Sequence, residues 1–227
     1  PDNKTGSYKN YSIRQIAKSN FGCFDSTTSP IVLPSRPIAS FSNDTASCGP
    51  DTFVVNNNSQ FASSYNWSIS PASGVSISST TATNPTFTFG IYVDSVIKTY
   101  NIKNIATTSS GCKDTAIHSY QLYPTPAAAF GLSRTDTCGP VNIYITNSSS
   151  PYNGLNYNWN FGNGISANCR DTNLMYYNSG VNDSIYNIFL TANNIYNCID
   201  TQVHYLTVRP DAQAYLTATD SVTCAPD

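Results

Sequence analysis

Apolar and polar residues alternate with a period of two through three widely separated stretches of the chain. The repeated trios are Tyr11, Ile13 and Ala17, then Tyr100, Ile102 and Ala106, then Tyr186, Ile188 and Ala192. Each lies twelve, ten and six residues before a cysteine: Cys23, Cys112 and Cys198. Alternation of this kind predicts a strand with one buried face. A second pair of strands is predicted at Phe53-x-Val55 after Cys48 and Ile143-x-Ile145 after Cys138, running to Asn57 and Asn147. Between these sets lie Tyr65-Asn66-Trp67-Ser68-Ile69 and Tyr157-Asn158-Trp159-Asn160-Phe161, the latter followed by the turn signal Gly162-Asn163-Gly164. No stretch sustains a period of 3.6, and β-branched, aromatic and turn-forming residues abound, so the expected class is all-β.

The pattern restarts at a fixed interval. Cys48-Gly49-Pro50 recurs as Cys138-Gly139-Pro140 after 90 positions and as Cys224-Ala225-Pro226 after 86 more. Gly22-Cys23-Phe24-Asp25, Gly111-Cys112-Lys113-Asp114 and Asn197-Cys198-Ile199-Asp200 form an interleaved series spaced by 89 and 86. A period of this length marks tandem modules. Proline-bearing joints at Pro34 to Pro37, Pro124 to Pro126 and Pro210 separate them and are short and stiff, so modules are expected end to end. Residues 1–36 read as the closing strands of one module, 37–125 and 126–211 as complete modules, and 212–227 as the start of another. On that reading the chain is an excerpt from a longer array. About seven short strands per unit, a core tryptophan (Trp67, Trp159) on the third strand and a tyrosine (Tyr100, Tyr186) near the start of the sixth match an immunoglobulin-like β-sandwich. That tyrosine either bonds its hydroxyl to nearby backbone or fills the core edge.

Composition removes several functions. Charged residues make up 11% of the chain and the net charge is −2, which leaves no basic stripe for nucleic acid. No apolar run approaches the length of a membrane helix. Seven cysteines at recurring spacing and one methionine indicate an oxidising, extracellular or cell-surface setting. Zinc ligation lacks a Cys-x-x-Cys pair. His118 and His204 occupy the same place in the repeat, which suits a half-exposed strand position better than catalysis. No Gly-x-Ser-x-Gly elbow appears, and all thirteen acidic residues are Asp, so no catalytic residue is assigned and no enzyme is expected. Calcium at loops bearing Asp136 or Asp171 would lack a dense oxygen-ligand loop, so no cofactor is expected. Tyr176-Tyr177, Tyr152 and Tyr196 could form platforms for sugars, although strand propensity and core filling explain them more simply.

Tyr157-Asn158-Trp159-Asn160-Phe161-Gly162-Asn163-Gly164 resembles the Tyr-x-Trp-x-Phe-Gly-Asp-Gly signature of polycystic-kidney-disease (PKD) domains, which are immunoglobulin-like sandwiches of extracellular proteins. The first unit departs from it, with Ile69-Ser70-Pro71 after Trp67. The Cys-Gly-Pro opening, the Gly-Cys-x-Asp-Thr turn and the proline joints are similar to long PKD-type arrays in Bacteroidota cell-surface proteins, including gliding-motility adhesins exported by the type IX pathway. Ten of the thirteen Asp residues are followed by Ser or Thr. In six of these the third residue is small, β-branched or Thr, a pattern that resembles the Asp-Ser/Thr-aliphatic O-glycan acceptor of exported Bacteroidota proteins. It names Ser26, Thr45, Ser95, Thr115, Ser184 and Ser221. Capping of turns by Asp-Ser and Asp-Thr is the plain alternative.

In a sandwich of this topology the first-series cysteine lies at one end of the module and the second-series cysteine at the hairpin of the other. Eight residues of strand hold those ends roughly 25 Å apart, whereas a disulfide needs Cα atoms within about 7 Å. Pairing Cys48 with Cys112 is therefore awkward, and Cys48 with Cys198, across adjacent modules, is the expected bond. Cys23, Cys112, Cys138 and Cys224 would then pair with modules outside the excerpt, and Cys138 with Cys169 is an alternative. The expected function is a non-catalytic structural or adhesive segment of a secreted surface protein. Its expected partners are neighbouring repeats, with surface polysaccharide or further copies of the protein as others. The alternative is a spacer or polysaccharide-binding region of a secreted hydrolase.

Overall fold

A computed structural model of the chain describes residues 2–93, 96–151, 153–212 and 214–217. Ser95, Tyr152, Ser221 and Cys224 lie outside the described residues, as does most of the expected opening of a further module at 212–227. The described residues contain nineteen strands and no helix. The chain divides into two compact units, 1–125 and 126–227.

The first unit opens with an antiparallel hairpin, β1 (Lys9–Lys18) and β2 (Phe24–Leu33). A sandwich follows, built from β3 (Phe41–Ser42), β4 (Ala46–Cys48), β5 (Asp51–Val54), β6 (Asn56–Asn57), β7 (Ser64–Ser70), β8 (Val75–Ile77), β9 (Thr86–Phe89), β10 (Lys98–Thr107) and β11 (Lys113–Tyr123). One sheet has the order β4-β11-β10-β7, and facing it lies β5-β9-β8, with the short β3-β6 pair beside it. The alternating residues of β10 point inward as their spacing predicts: Tyr100, Ile102 and Ala106 are all at most 1% exposed. Tyr100 and Ile102 meet Phe53, Phe87 and Phe89 of the facing sheet, with Trp67 of β7 and Tyr120 of β11 completing the core. In β1 the matching residues Tyr11 and Ile13 are 41% and 54% exposed. A two-stranded sheet has no second sheet to cover that face.

The second unit comprises β12 (Phe130–Leu132), β13 (Asp136–Cys138), β14 (Val141–Asn147), β15 (Asn156–Asn160), β16 (Ser166–Ala167), β17 (Thr172–Tyr176), β18 (Ser184–Asn193) and β19 (Ile199–Arg209). Its sheets are β13-β19-β18-β15-β16 and β12-β14-β17. Trp159, Ile188, Leu190 and Leu206 pack against Phe130, Ile143, Ile145 and Tyr176 in a core of its own. Trp67 and Trp159 therefore occupy separate interiors.

Both sandwiches split their first strand in the same way. β3 and β12 pair antiparallel with β6 and β14, and the chain then crosses so that β4 and β13 run parallel to β11 and β19. The modules diverge after the tryptophan strand. Gly162 (φ 74°) and Gly164 (φ 85°) return the chain as β16 on the same sheet. A Cβ at Gly162 would fall 2.7 Å from the Asn187 carbonyl oxygen, so the turn requires glycine. In the first module Ile69-Ser70-Pro71 occupies that place, and the chain crosses to the facing sheet as β8. These strand orders are those of all-β, immunoglobulin-like sandwiches.

Candidate functional site

Recurrent chemistry gathers at the two ends of each module. The hairpins holding Cys23, Cys112 and Cys198 are built alike: the N–H of Ser19, Thr108 and Asn194 donates to the carbonyl of the cysteine four residues on, at 2.8, 2.9 and 3.1 Å. The residue before each cysteine takes positive φ (Gly22 84°, Gly111 84°, Asn197 62°), the left-handed conformation that glycine and asparagine tolerate best. Two residues beyond the cysteine the chain places an aspartate. Asp114 Oδ2 accepts the N–H of Ala39 at 3.0 Å, and Asp200 Oδ2 accepts that of Ala128 at 2.8 Å. The hairpin thus grips the first backbone of its own module, two residues past the joint proline. Arg36 adds a cation 3.7 Å from Asp114. Sequence reasoning saw the Cys-x-Asp register but missed this grip, because its acceptor and donor lie more than seventy residues apart.

The first-series cysteines end the short parallel strands. Cys48 pairs with Tyr123, the last residue of β11, and Cys138 with Arg209, the last of β19. The Gly49–Pro50 and Gly139–Pro140 peptide bonds that follow are both cis. Cys48 and Cys198 are each disulfide-bonded. Cys23, Cys112, Cys138 and Cys169 carry free thiols, so the alternative of a Cys138–Cys169 bond does not hold. Cys169 sits instead before β17, where its carbonyl accepts the Trp159 indole N–H at 2.8 Å. The Trp67 indole does the same with the Ala82 carbonyl at 2.9 Å.

The corner tyrosines bond to backbone: Tyr100 Oη donates to the Ser73 carbonyl at 3.2 Å and Tyr186 Oη to the Tyr177 carbonyl at 2.8 Å. Tyr176 is a core residue rather than a sugar platform. It is 1% exposed and donates to the Phe161 carbonyl at 3.2 Å, and burial first, then the neighbouring Tyr186, pushes its hydroxyl up to about 12. Its position directly opposite Val141 of β14 turns the ring inward, leaving Tyr177 exposed on the other face. Tyr196 is half-buried in the hairpin turn, where its N–H donates to Asn194 Oδ1.

His118 stacks on Phe41 at 4.3 Å and His204 meets Phe130 edge-on at 4.6 Å, the same packing position in both modules. Asp136 is engaged by both arms of the Arg209 guanidinium, at 2.8 and 2.6 Å, which holds its carboxyl below the usual range. Asp171 accepts the N–H of Asn147 at 2.8 Å. Among the described residues no three His, Cys, Asp or Glu side chains converge as metal ligands would. A groove of about 180 Å3 lined by Gly6, Tyr8, Ser35, Phe61, Ser63 and Ser110 presents neither acid nor base.

Ser26, Thr45 and Thr115 are exposed residues, the Ser26 Oγ accepting from the Arg14 guanidinium at 2.9 Å, and Ser184 is half-buried. Ser26 and Thr115 are not turn residues as the capping reading expects. They are third in β2 and β11, since backbone bonds have already closed the hairpin before the Asp is reached. Ser184 opens β18, and Thr45 lies at the bend before β4.

No family model and no curated protein matches the chain. Solved structures that resemble it include the PKD1 domain of Vibrio anguillarum Epp, at 22% identity over 38% of this chain and 96% of that one, with a TM-score of 0.31. The amphioxus IgVJ-C2 molecule is similar at 14% identity over 71% and 99%, TM-score 0.31. Titin domains I67–I69, in an E-to-A variant, are similar at 10% identity over 92% and 76%, TM-score 0.44. At these levels the weight of the immunoglobulin-like assignment rests on the chain's own strand order and its two separate cores.

Proposed function

We propose that the chain is a non-catalytic structural and adhesive segment of a long, repetitive, secreted cell-surface protein: a stalk, filament or adhesin of the kind used in gliding. One observation carries this reading. The same frame, with a cysteine at the parallel-strand end and another at the opposite hairpin, is built twice, and one cysteine of each kind is disulfide-bonded, Cys48 and Cys198. Disulfides of this sort belong to oxidising surroundings outside the cytoplasm. We pair the two with each other, as a staple between successive modules. Cys138 and Cys112 hold the equivalent positions for staples to further repeats, and residues 1–36 are the last two strands of such a repeat. On this reading the hydroxyls of the exposed residues Ser26, Thr45 and Thr115 accept O-linked sugars. Peptide mapping without reduction tests the staple: the peptide holding Cys48 is expected joined to that holding Cys198, and a Cys48–Cys112 link would overturn it. Electron microscopy of the native protein is expected to show surface fibres.

The exposed rings of Tyr144, Tyr177 and Tyr205 favour a second reading, as polysaccharide-binding modules of a secreted hydrolase. Saturable binding in a cellulose or chitin pull-down that is lost in Tyr177→Ala would support it over the first.

A further inference from the structure

Where the cysteines lie along the chain matters more for a load-bearing protein than how many bonds they make. We infer that the Cys48–Cys198 bond is a length clamp that takes most strands of both sandwich cores out of the path of tension, an inference that rests on the pairing proposed above. A bond between these sulfurs closes residues 49–197 into a covalent loop. Tension applied to the two ends of the chain then runs to Cys48, crosses the sulfur–sulfur bond and leaves from Cys198.

The strand order says what that path includes. In the first module it contains β3 and β4, after which Cys48, the last residue of β4, hands the load over. In the second module it begins in the β18–β19 hairpin and contains β19. The strands bearing Trp67, Phe87, Phe89 and Ile102 in one core, and Trp159, Ile143, Tyr176 and Ile188 in the other, all fall inside the loop. Without the bond, the load would pass from β3 through the whole first module to the end of β11, and every core strand would lie along it. The second-series cysteine is well placed for the task. Cys198 is 1% exposed, its N–H is held by Asn194 Oδ1 at 3.1 Å and its carbonyl by Asn194 N–H, and Asp200 two residues on fixes the hairpin to the first backbone of the module. A load arriving there is spread into the sheet through β19, whose partners are β18 on one side and β13 on the other.

The test is to pull the whole chain by handles at its two ends, oxidised and after treatment with a phosphine, which is oxidised as it converts the sulfur–sulfur bond into two thiols. Roughly 150 residues at about 3.5 Å each lie inside the loop, so the reduced chain is expected to reach a full extension about 500 Å longer than the oxidised one. The oxidised chain is expected to show only short releases, from the β1–β2 hairpin, β3–β4 and β19, at loads where the reduced chain gives two long releases of whole modules. Cys198→Ser without reductant should behave as the reduced chain does, and the reduced native chain serves in its place if that variant does not fold. An oxidised chain that maps as Cys48–Cys198 yet yields at lower force than the reduced chain would overturn the clamp and leave the staple standing. Equal extensions, together with a map joining Cys48 elsewhere, would overturn the staple itself.

Discussion

The two sandwiches use the same frame to enclose different interiors. Counting from the cysteines, Tyr120 in the first module answers to Leu206 in the second, Asp51 to Val141, and Asn104 to Leu190. The second module thus has two apolar residues of its core where the first has Tyr120 Oη donating to Asp51 Oδ2 at 2.5 Å beneath Phe53 and Phe89. Burial, with the hydrogen bond to Asp51 second, drives the Tyr120 hydroxyl far above the ordinary range and keeps it a donor. What survives the exchange is the backbone: the register of β10 with β11 matches that of β18 with β19 residue for residue. The frame is set by alternation, the left-handed hairpin residue and the Asp grip. Side chains inside it are free to differ if each buried polar atom finds a partner.

A shared frame makes a strong prediction about the tryptophans, the largest effect expected. Trp67 and Trp159 are 1% and 0% exposed and make the same indole bond to a loop carbonyl. Replacing either with Ala should destabilise its own unit by about 3–5 kcal/mol. The remaining tryptophan should report an unchanged transition in the other unit, measured in reduced chain by denaturant melts followed by fluorescence. A lowered Trp159 transition in Trp67→Ala would break the picture of two independent cores.

The polar pair comes next. Tyr120→Phe strips Asp51 of its donor and should cost the first unit about 1–3 kcal/mol. The double exchange Asp51→Val with Tyr120→Leu, which imports the second module's contact, should recover most of that loss. Melts of Asp51→Val, Tyr120→Leu and the double, read by Trp67 in a Trp159→Phe background, give the coupling directly. Additive losses would show that the pair is incidental to the core.

Asn104 sharpens the same point in the opposite direction. It is fully buried, its Nδ2 reaches Ser59 Oγ at 3.3 Å, and its Oδ1 has no hydrogen-bond partner in the protein. Asn104→Leu installs the residue the second module already uses opposite its tryptophan. It should raise the stability of the first unit by about 1 kcal/mol, since an unpartnered buried polar atom is removed. A lower melting midpoint would mean that the Ser59 bond outweighs the orphaned oxygen.

Much of this frame was legible in the sequence because alternation and cysteine register are local signals. Tyr100, Ile102 and Ala106 announce a half-buried strand by their spacing alone, and the structure buries all three. The residues left open are those whose fate depends on a partner far along the chain. Core filling is the simpler reading of both Tyr176 and Tyr177, and one residue of register in the pairing of β17 with β14 decides that only Tyr176 faces inward. Asp114 and Asp200 look like turn caps until the joint backbone 72 to 75 residues earlier is brought to them. The first module's β8 was hidden for a related reason. Without a Gly-x-Gly turn after Trp67, nothing local says to which sheet the chain returns.

The smallest expected effect concerns the module ends. Asp136 and Arg209 form a two-point ion pair where the first module has Ala46 and Tyr123. The pair is about half exposed, so solvent screens it and its worth is small. Its sign is nevertheless fixed. Arg209 lowers the Asp136 carboxyl below its value in the unfolded chain, so the contribution is present above the unfolded carboxylate range and is lost as pH falls through the folded value. Acid titration followed by Trp159 should therefore show the second unit losing slightly more stability below about pH 4 than its Asp136→Asn variant does. High salt should shrink the difference, and identical acid slopes in the two proteins would mean that β13 is held to β19 by its backbone alone.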